Sequence, residues 1–405
     1  MSPTRSTRPW AVVALCALVV IAEGYDLIVY GALLPSLLAQ PGWGLTSATA
    51  GTVGSFVYLG MVIGALAGGR FSDKLGRRRV VVLSAAWFAL WTAACALAMA
   101  PWQLGLYRFL AGAGMGAALP AALALAKEYM PAGRTGLSVT ILMAGVPIGG
   151  TTASLLGLWI LPAYGWRPMF AFGAAISVVI LVLTAIRLPE SRSFERASAT
   201  PPISALFGRT LLATTLLFAL ATFTNLLTWY GLNTWLTTLM RQLHYPLSSA
   251  LQFSLTLNIG AVAGSFLIVA AAQRVGTRRM AVFCALLTAG GIAALLFSAS
   301  AIGPLLVSIA LVGAGAHSAL ILMTSAVADS YSAQLRGTAI GWTLGVGRLG
   351  AVVAPSLGGL TLSAGLGPQA VFLTFIVSAL LSATVMTALV ILGSREAAPT
   401  AVGAQ

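Results

Sequence analysis

The chain has 405 residues, of which 59% are apolar and only 7% are charged. Soluble proteins carry about 25% charged residues, so the composition excludes a soluble fold and predicts an integral membrane protein of the helical type. The net charge of +14 does not indicate nucleic-acid binding, because the sequence has no basic stripe with interleaved aromatic residues.

Continuous apolar runs of membrane-spanning length recur along the whole chain, whereas a β-barrel would alternate apolar and polar residues. A polar stretch divides them into an N-terminal half of residues 1–188, a linker of residues 189–209 and a C-terminal half of residues 210–405. We therefore predict an all-α fold of twelve transmembrane helices. They cover residues 10–38, 48–69, 80–100, 102–126, 137–161, 168–188, 210–239, 248–272, 280–300, 303–328, 338–362 and 369–392.

Basic residues are unevenly distributed between the two sides of this predicted bundle. The two termini and the five loops on their side hold 18 of the 22 lysines and arginines, and the other side holds Arg167 and Arg241. Because positive residues favour the cytoplasmic side, both termini and the linker are predicted to be cytoplasmic. The remaining two, Arg108 and Arg348, lie inside predicted helices.

Two carboxylates, Glu23 and Asp26, lie in the middle of the first predicted helix. A spacing of three residues puts them on one face, roughly 20–25 Å from the cytoplasmic end of the helix. Acids inside membrane helices are costly and usually functional. Both are candidates for proton binding, because a carboxylate balanced between desolvation and a nearby cation can load and release a proton; the alternative is a fixed ion pair.

The two arginines inside helices need partners, because a guanidinium keeps its proton. Arg108 lies about two turns into the fourth helix, at the depth of Asp26, and an interaction between them is predicted. The alternative is that Arg108 only binds backbone carbonyls. Arg348, about three turns into the eleventh helix, is the predicted anchor for an anionic substrate, since a guanidinium fork fits a carboxylate. Its alternative is an interhelical pair with Glu23 or Asp26.

Polar and aromatic residues of the seventh, eighth and tenth helices are candidates for the wall of a pocket. An aromatic ligand would stack on tyrosine or tryptophan while an amide binds a hydroxyl group. A tryptophan near a helix end can instead anchor the helix at the interface. A histidine can relay protons or simply form a hydrogen bond in the wall. The candidates are Tyr230, Trp235, Asn225, Asn233, Asn258 and His317.

The two halves repeat at an offset of about 200 residues. Residues 73–79 align with residues 273–279, and residues 145–150 align with residues 345–350. A chain of two six-helix repeats is the organisation expected of a secondary transporter with its site between the halves.

Residues 69–79, with the sequence Gly-Arg-Phe-Ser-Asp-Lys-Leu-Gly-Arg-Arg-Arg, closely resemble the loop 2–3 signature of the major facilitator superfamily. Residues 108–116 resemble the helix 4 motif of the same superfamily. The resemblance implies the twelve-helix fold of that superfamily. It also implies that the loop cluster bridges helices in one conformation and separates in the other; the alternative is a role in topology and lipid contact. The predicted gating residues are Gly69, Asp73, Arg77 and Arg78.

A narrower resemblance is to the aromatic acid:proton symporters. Residues 23–26, Glu-Gly-Tyr-Asp, fit their acid-Gly-x-Asp motif. Most members have aspartate at the first position, and glutamate resembles the hydroxyphenylpropionate transporter branch. Residues 230–236 are similar to helix 7 of the family, although Thr237 stands where proline is usual, and residues 345–350 are similar to its helix 11.

This resemblance implies a monomeric, proton-coupled importer in a bacterial inner membrane. It would carry small aromatic carboxylates, of hydroxybenzoate or hydroxyphenylpropionate type, by alternating access. One alternative is a drug or metabolite:proton antiporter, although the fifth helix lacks the Gly-x-x-x-Gly-Pro-x-x-Gly-Gly arrangement of such exporters. Another is a non-transporting sensor, which would usually carry a cytoplasmic extension. No enzyme, cofactor or metal site is predicted, because the sequence has no nucleophile–base set, metal-ligand spacing or phosphate-binding loop.

Overall fold

The computed structural model describes residues 9–191, 202–297, 302–332 and 334–396. All regular secondary structure in these ranges is helical, and twelve helices are long and apolar enough to span a membrane, which confirms the predicted fold. They are α1 Pro9–Leu38, α2 Ser47–Leu75, α3 Arg77–Ala96, α4 Pro101–Tyr129, α5 Thr135–Tyr164, α6 Arg167–Arg187, α7 Leu212–Gln242, α8 Leu247–Val275, α9 Thr277–Phe297, α10 Ile302–Ser330, α11 Arg336–Ser363 and α12 Gly367–Glu396.

Some helix ends differ from the ends of the apolar runs. Helix α2 was predicted to end at residue 69 but continues to Leu75, because charged side chains can stay helical outside the apolar core. Helix α3 ends at Ala96 rather than residue 100. Pro101 is the first residue of α4, and because the residue before a proline favours an extended backbone, Ala100 has ψ 154° and belongs to neither helix.

The connection between α2 and α3 is the single residue Gly76, and that between α8 and α9 is the single residue Gly276. Both have a positive φ, 90° and 97°, which glycine adopts without a steric penalty. The two connections lie 200 residues apart and have the same conformation. The internal repeat of the sequence is therefore a repeat in the structure.

The predicted linker of residues 189–209 falls between Arg187, where α6 ends, and Leu212, where α7 begins. A short 3-10 helix, Ile203–Phe207, precedes α7, and part of the linker, residues 192–201, lies outside the described residues.

The two halves pack through three helix pairs, α1 with α7, α2 with α11 and α5 with α8. Because consecutive spanning helices alternate in direction, odd-numbered helices begin at one end of the bundle and even-numbered helices begin at the other. We call the end where α1 begins the basic face, since it carries the arginine-rich connections, and the other end the opposite face.

Two serine pairs join the halves toward the opposite face. The hydroxyls of Ser55 in α2 and Ser356 in α11 are 2.8 Å apart, and Ser154 in α5 donates to Ser254 in α8 at 3.0 Å. The repeat relates α2 to α8 and α5 to α11, so these two hydrogen bonds are equivalent under exchange of the halves. In this conformation the halves are therefore closed on each other at the opposite face.

The variant Ser55→Cys/Ser356→Cys is expected to form a disulfide on mild oxidation. The hydroxyl separation of 2.8 Å places the two β-carbons within disulfide range. The measurement is loss of two maleimide-reactive thiols in denatured protein, counted against the three native cysteines. The matched control is Ser55→Cys/Ser363→Cys, in which the second position lies about 10 Å further along α11. Equal oxidation of both variants would contradict the packing of α2 on α11.

Candidate functional site

A cavity of about 120 Å³ lies between the halves. Its walls come from the basic-face portions of α4 and α5 in the N-terminal half and of α10 and α11 in the C-terminal half. At its deep end, near the middle of the bundle, are four polar side chains. They are Glu23, Tyr58, Tyr230 and Arg348.

Glu23 and Arg348 bring opposite charges together from different halves. The Glu23 side chain is fully buried, and neither carboxylate oxygen has a hydrogen-bond donor among the described residues. Arg348 is half-buried, donates at 3.5 Å to the carbonyl oxygen of Met61 in α2, and is the cation that acts electrostatically on Glu23. The ion pairs of the described residues do not include a direct pair between them. Arg348 therefore has guanidinium N–H groups that remain open to an anion.

Asp26 and Arg108 form a second buried charged group within the N-terminal half. The Asp26 carboxylate accepts a hydrogen bond from Thr92 in α3 at 2.9 Å. The Arg108 guanidinium donates at 3.3 Å to the main-chain oxygen of Asp26 and lies 4.6 Å from the ring centroid of Tyr30. The predicted contact is thus made through the backbone of Asp26, while its carboxylate feels the Arg108 charge electrostatically. Neither residue lines the cavity.

Tyr58 in α2 and Tyr230 in α7 place an aromatic pair beside the charges. Their ring centroids are 4.7 Å apart and the rings are tilted by 52°. Both line the cavity with Arg348, and Tyr230 is only partly buried. The deep end of the cavity therefore combines a cation with aromatic surface.

The other residues predicted for the pocket wall lie inside helix contacts in this conformation. Trp235 is buried and donates to the carbonyl oxygen of Pro355 at 2.9 Å, so it joins α7 to α11 and is not an interfacial anchor. Asn258 donates at 3.2 Å to the side-chain oxygen of Asn233, and Asn225 donates to a carbonyl oxygen of α10. Their proposed contact with a ligand stays a prediction.

His317 in α10 joins the two halves near the cavity. Its Nε2 lies 3.1 Å from the carbonyl oxygen of Met143 in α5, and its ring packs 5.0 Å from that of Trp229. A carbonyl oxygen can only accept, so Nε2 carries a proton and Nδ1 has no hydrogen-bond partner among the described residues. These contacts give His317 a structural role in this conformation, and the proton relay stays a prediction.

The predicted gating cluster lies at the basic face. Arg77 forms an ion pair with Glu128 at the end of α4. The backbone N–H of Arg78 donates at 3.0 Å to the carboxylate of Glu190, at the start of the linker. These contacts fasten the α2–α3 connection to α4 and to the linker.

The other two predicted gating residues are Gly69 and Asp73. Gly69 has open space around its α-carbon. The side chain of Asp73 lies outside the described residues. Gating by the whole cluster stays a prediction.

Four polar cavity residues were not predicted from the sequence: Tyr58, Lys127, Thr324 and Ser325. Tyr58, Thr324 and Ser325 lie in long apolar runs with no charge or motif that would mark them. A helical face can be assigned to the cavity only when the neighbouring helices are known. The one available signal was that Lys127 is a lone lysine close to the end of an apolar run.

We expect Arg348→Met to lower the melting temperature of the purified protein, because it leaves the buried Glu23 without its compensating charge. Adding Glu23→Gln should recover part of that loss, with a coupling on the order of 1–3 kcal/mol. The matched control adds Asp26→Asn to Arg348→Met, and additive losses are expected because Asp26 belongs to the Arg108 group. Additive losses for Glu23 as well would show that the two charges are independent.

Relatives with assigned names match nearly the full length of the chain. It is 40% identical over 396 residues to the gentisate transporter of Corynebacterium glutamicum, covering 95% of this chain and 88% of the relative. It is 33% identical over 366 residues to the 3-(3-hydroxy-phenyl)propionate transporter of Escherichia coli, covering 89% of each. These relatives are named transporters of aromatic acids, not enzymes.

The fold also matches a solved structure. The crystal structure of the D-xylose-proton symporter has a TM-score of 0.77 at 18% identity, covering 93% of this chain and 97% of that one, which supports the fold alone. The sequence matches the Major Facilitator Superfamily over residues 16–268 and 218–404. Together with the twelve helices and the internal repeat, these matches place the chain in the Major Facilitator Superfamily, among relatives that transport aromatic acids.

Proposed function

We propose that this protein is a proton-coupled importer of small aromatic carboxylates that works by alternating access. The observation that carries the proposal is the arrangement of Arg348 and Glu23, which face one cavity from different halves without a direct ion pair. A guanidinium with free N–H groups in a mostly apolar cavity suits a carboxylate ligand. A buried carboxylate beside it suits a proton, because only one anion can use the arginine at a time.

The aromatic pair supports a ring-bearing substrate. Tyr58 and Tyr230 lie on the wall that also carries Arg348, so a ring would stack there while its carboxylate binds the guanidinium. Transport of hydroxybenzoate-type acids is favoured over hydroxyphenylpropionate, since identity to the gentisate transporter, 40%, exceeds that to the hydroxyphenylpropionate transporter, 33%.

Proton coupling follows from competition for Arg348. When Glu23 is protonated, the guanidinium is free for the substrate carboxylate; when the substrate leaves, Glu23 releases its proton and compensates the arginine. The net charge of the site is then the same in the loaded and empty states. Asp26, with Arg108, would pass protons between Glu23 and the opposite face, because it lies about one turn further from the basic face on α1.

The sidedness follows from the charge distribution. The basic face would be cytoplasmic in a bacterial inner membrane, since positive residues favour that side. The cavity extends toward the basic face while the serine pairs close the opposite face, so this conformation is the one that releases substrate inward. The working unit of this proposal is a monomer, as the resemblance to the aromatic acid:proton symporters implies.

The test is uptake of radiolabelled gentisate, 4-hydroxybenzoate, benzoate and hydroxyphenylpropionate into proteoliposomes with an imposed inward proton gradient. We expect gradient-dependent accumulation by the unchanged protein. Glu23→Gln should lose accumulation at least tenfold yet keep gradient-free exchange, because its neutral side chain mimics the loaded state. Asp26→Asn is the matched variant three residues away. Accumulation that survives in Glu23→Gln but not in Asp26→Asn would move the coupling group to Asp26. Extrusion of cationic dyes without uptake of any acid would replace the proposal by antiport.

A second prediction concerns the aromatic wall. Tyr58→Leu should raise the KM for the preferred acid about 3- to 10-fold, because an aromatic contact contributes about 0.5–1.5 kcal/mol beyond its apolar area. Tyr58→Phe keeps the ring and should stay within twofold of the unchanged protein. A similar rise in both variants would assign the effect to the hydroxyl group instead of the ring.

A further inference from the structure

Lys127 is an unusual cation for this chain. Of the 22 basic residues, only Lys74 and Lys127 are lysines. Lys127 lies in the last turn of α4 and lines the same cavity as Glu23 and Arg348. These three are the lining residues with acidic or basic side chains, so Lys127 is the cavity's second basic residue.

The charge of Lys127 is not compensated by a neighbouring acid. The adjacent Glu128 pairs with Arg77 and accepts a hydrogen bond from Ser191 at 2.8 Å, on the side of the linker. Among the described residues, Lys127 forms no ion pair and no side-chain hydrogen bond. Glu23 and Arg348 offset each other at the deep end, so the mouth of the cavity has a net positive charge.

Lys127 and Arg348 come from different depths of the bundle. Lys127 lies two residues from the end of α4 at the basic face, and Arg348 lies twelve residues from the start of α11 at the same face. At about 1.5 Å per residue, the Cα atoms of the two residues are roughly 15 Å apart along the bundle axis. A single-ring acid is shorter than this separation, so a position beside Lys127 is distinct from a position at the backbone level of Arg348.

The wall near Lys127 has the other groups that such a ligand needs. Thr324 and Ser325 of α10 line the cavity, and their hydroxyls donate to carbonyl oxygens one turn earlier at 2.8 and 3.1 Å. With their protons used, these hydroxyls can only accept, and a phenolic O–H would donate to them. Apolar side chains complete this part of the wall. They are Leu119, Leu123, Ile340 and Leu344.

From this arrangement we infer that Lys127 forms a second anion site, which holds the carboxylate of a hydroxylated aromatic acid between Arg348 and the basic face. The inference rests on the proposed function and adds a step to it: the substrate leaves the deep site for Lys127 before release. The ammonium offsets the cost of moving an anion out of the deep site through an apolar wall. Lys127 would therefore set affinity at the basic face without affecting affinity at the opposite face.

A binding experiment tests the site without transport. Purified full-length protein is treated with N-hydroxysuccinimide acetate, and acetylation of each lysine is measured by peptide mass spectrometry. Saturating gentisate should slow acetylation of Lys127 at least fivefold and leave Lys74 unchanged, since Lys74 is exposed outside the cavity. Equal rates with and without gentisate would overturn the inference.

A variant separates local binding from a change of conformation. In Arg348→Gln the deep site is weakened, and protection of Lys127 should persist. Protection that disappears in Arg348→Gln, and also in the milder Arg348→Lys, would show that occupancy of the deep site covers Lys127 indirectly. That result would overturn the second site while leaving the proposed function in place.

Exchange in vesicles of known orientation gives the functional test. Lys127→Gln should raise the half-saturating gentisate concentration at the basic face at least fivefold and change that at the opposite face less than twofold. Lys127→Arg should restore the unchanged value, and Lys74→Gln, which removes the same charge from the same face, should have no effect. If the unchanged protein transports gentisate and all variants have the same half-saturating gentisate concentrations, the inference about Lys127 is overturned and the proposed function stands. Failure of the unchanged protein to carry any aromatic acid would overturn the proposed function. In that case the acetylation experiment alone would show whether Lys127 binds an aromatic acid.

Discussion

The central constraint on this protein is the cost of placing opposite charges inside an apolar bundle. Glu23 and Arg348 reach the same cavity from separate halves, and each is the main electrostatic partner of the other there. In a low-dielectric interior such a pair ties the halves together, because separating the charges leaves each of them uncompensated. Among the described residues the two charges do not close into a direct ion pair, which is the feature on which the proposed anion and proton binding rests.

The second charged group compensates its buried charges through contacts within a single half. Asp26 and Arg108 are in one half, and Thr92 and the Tyr30 ring supply the remaining contacts. In the proposed alternating-access cycle this group would move as a unit, whereas the Glu23–Arg348 distance would change. The two acids three residues apart on α1 therefore differ in kind. One belongs to a fixed arrangement within a half, and the other belongs to the boundary between halves.

The closed side of the bundle depends on close backbone approach and few polar contacts. Gly31 lies against the backbone of Asn233, and the two serine pairs add one hydrogen bond to each of two helix pairs. Contacts of this size are strong enough to define one conformation and weak enough to be broken in a transport cycle.

The sequence by itself determined the twelve-helix fold, the repeat, and the presence of two acids and two arginines at membrane depth. It could do so because apolar length, charge asymmetry and buried charge are local properties that survive any arrangement of the helices. The structure alone decided which residues meet. It placed Glu23 rather than Asp26 in the cavity with Arg348, and it placed Trp235 in helix contacts instead of the cavity. It also brought Tyr58 and Lys127 to the cavity wall, because the face that a helix turns inward depends on the packing of its neighbours.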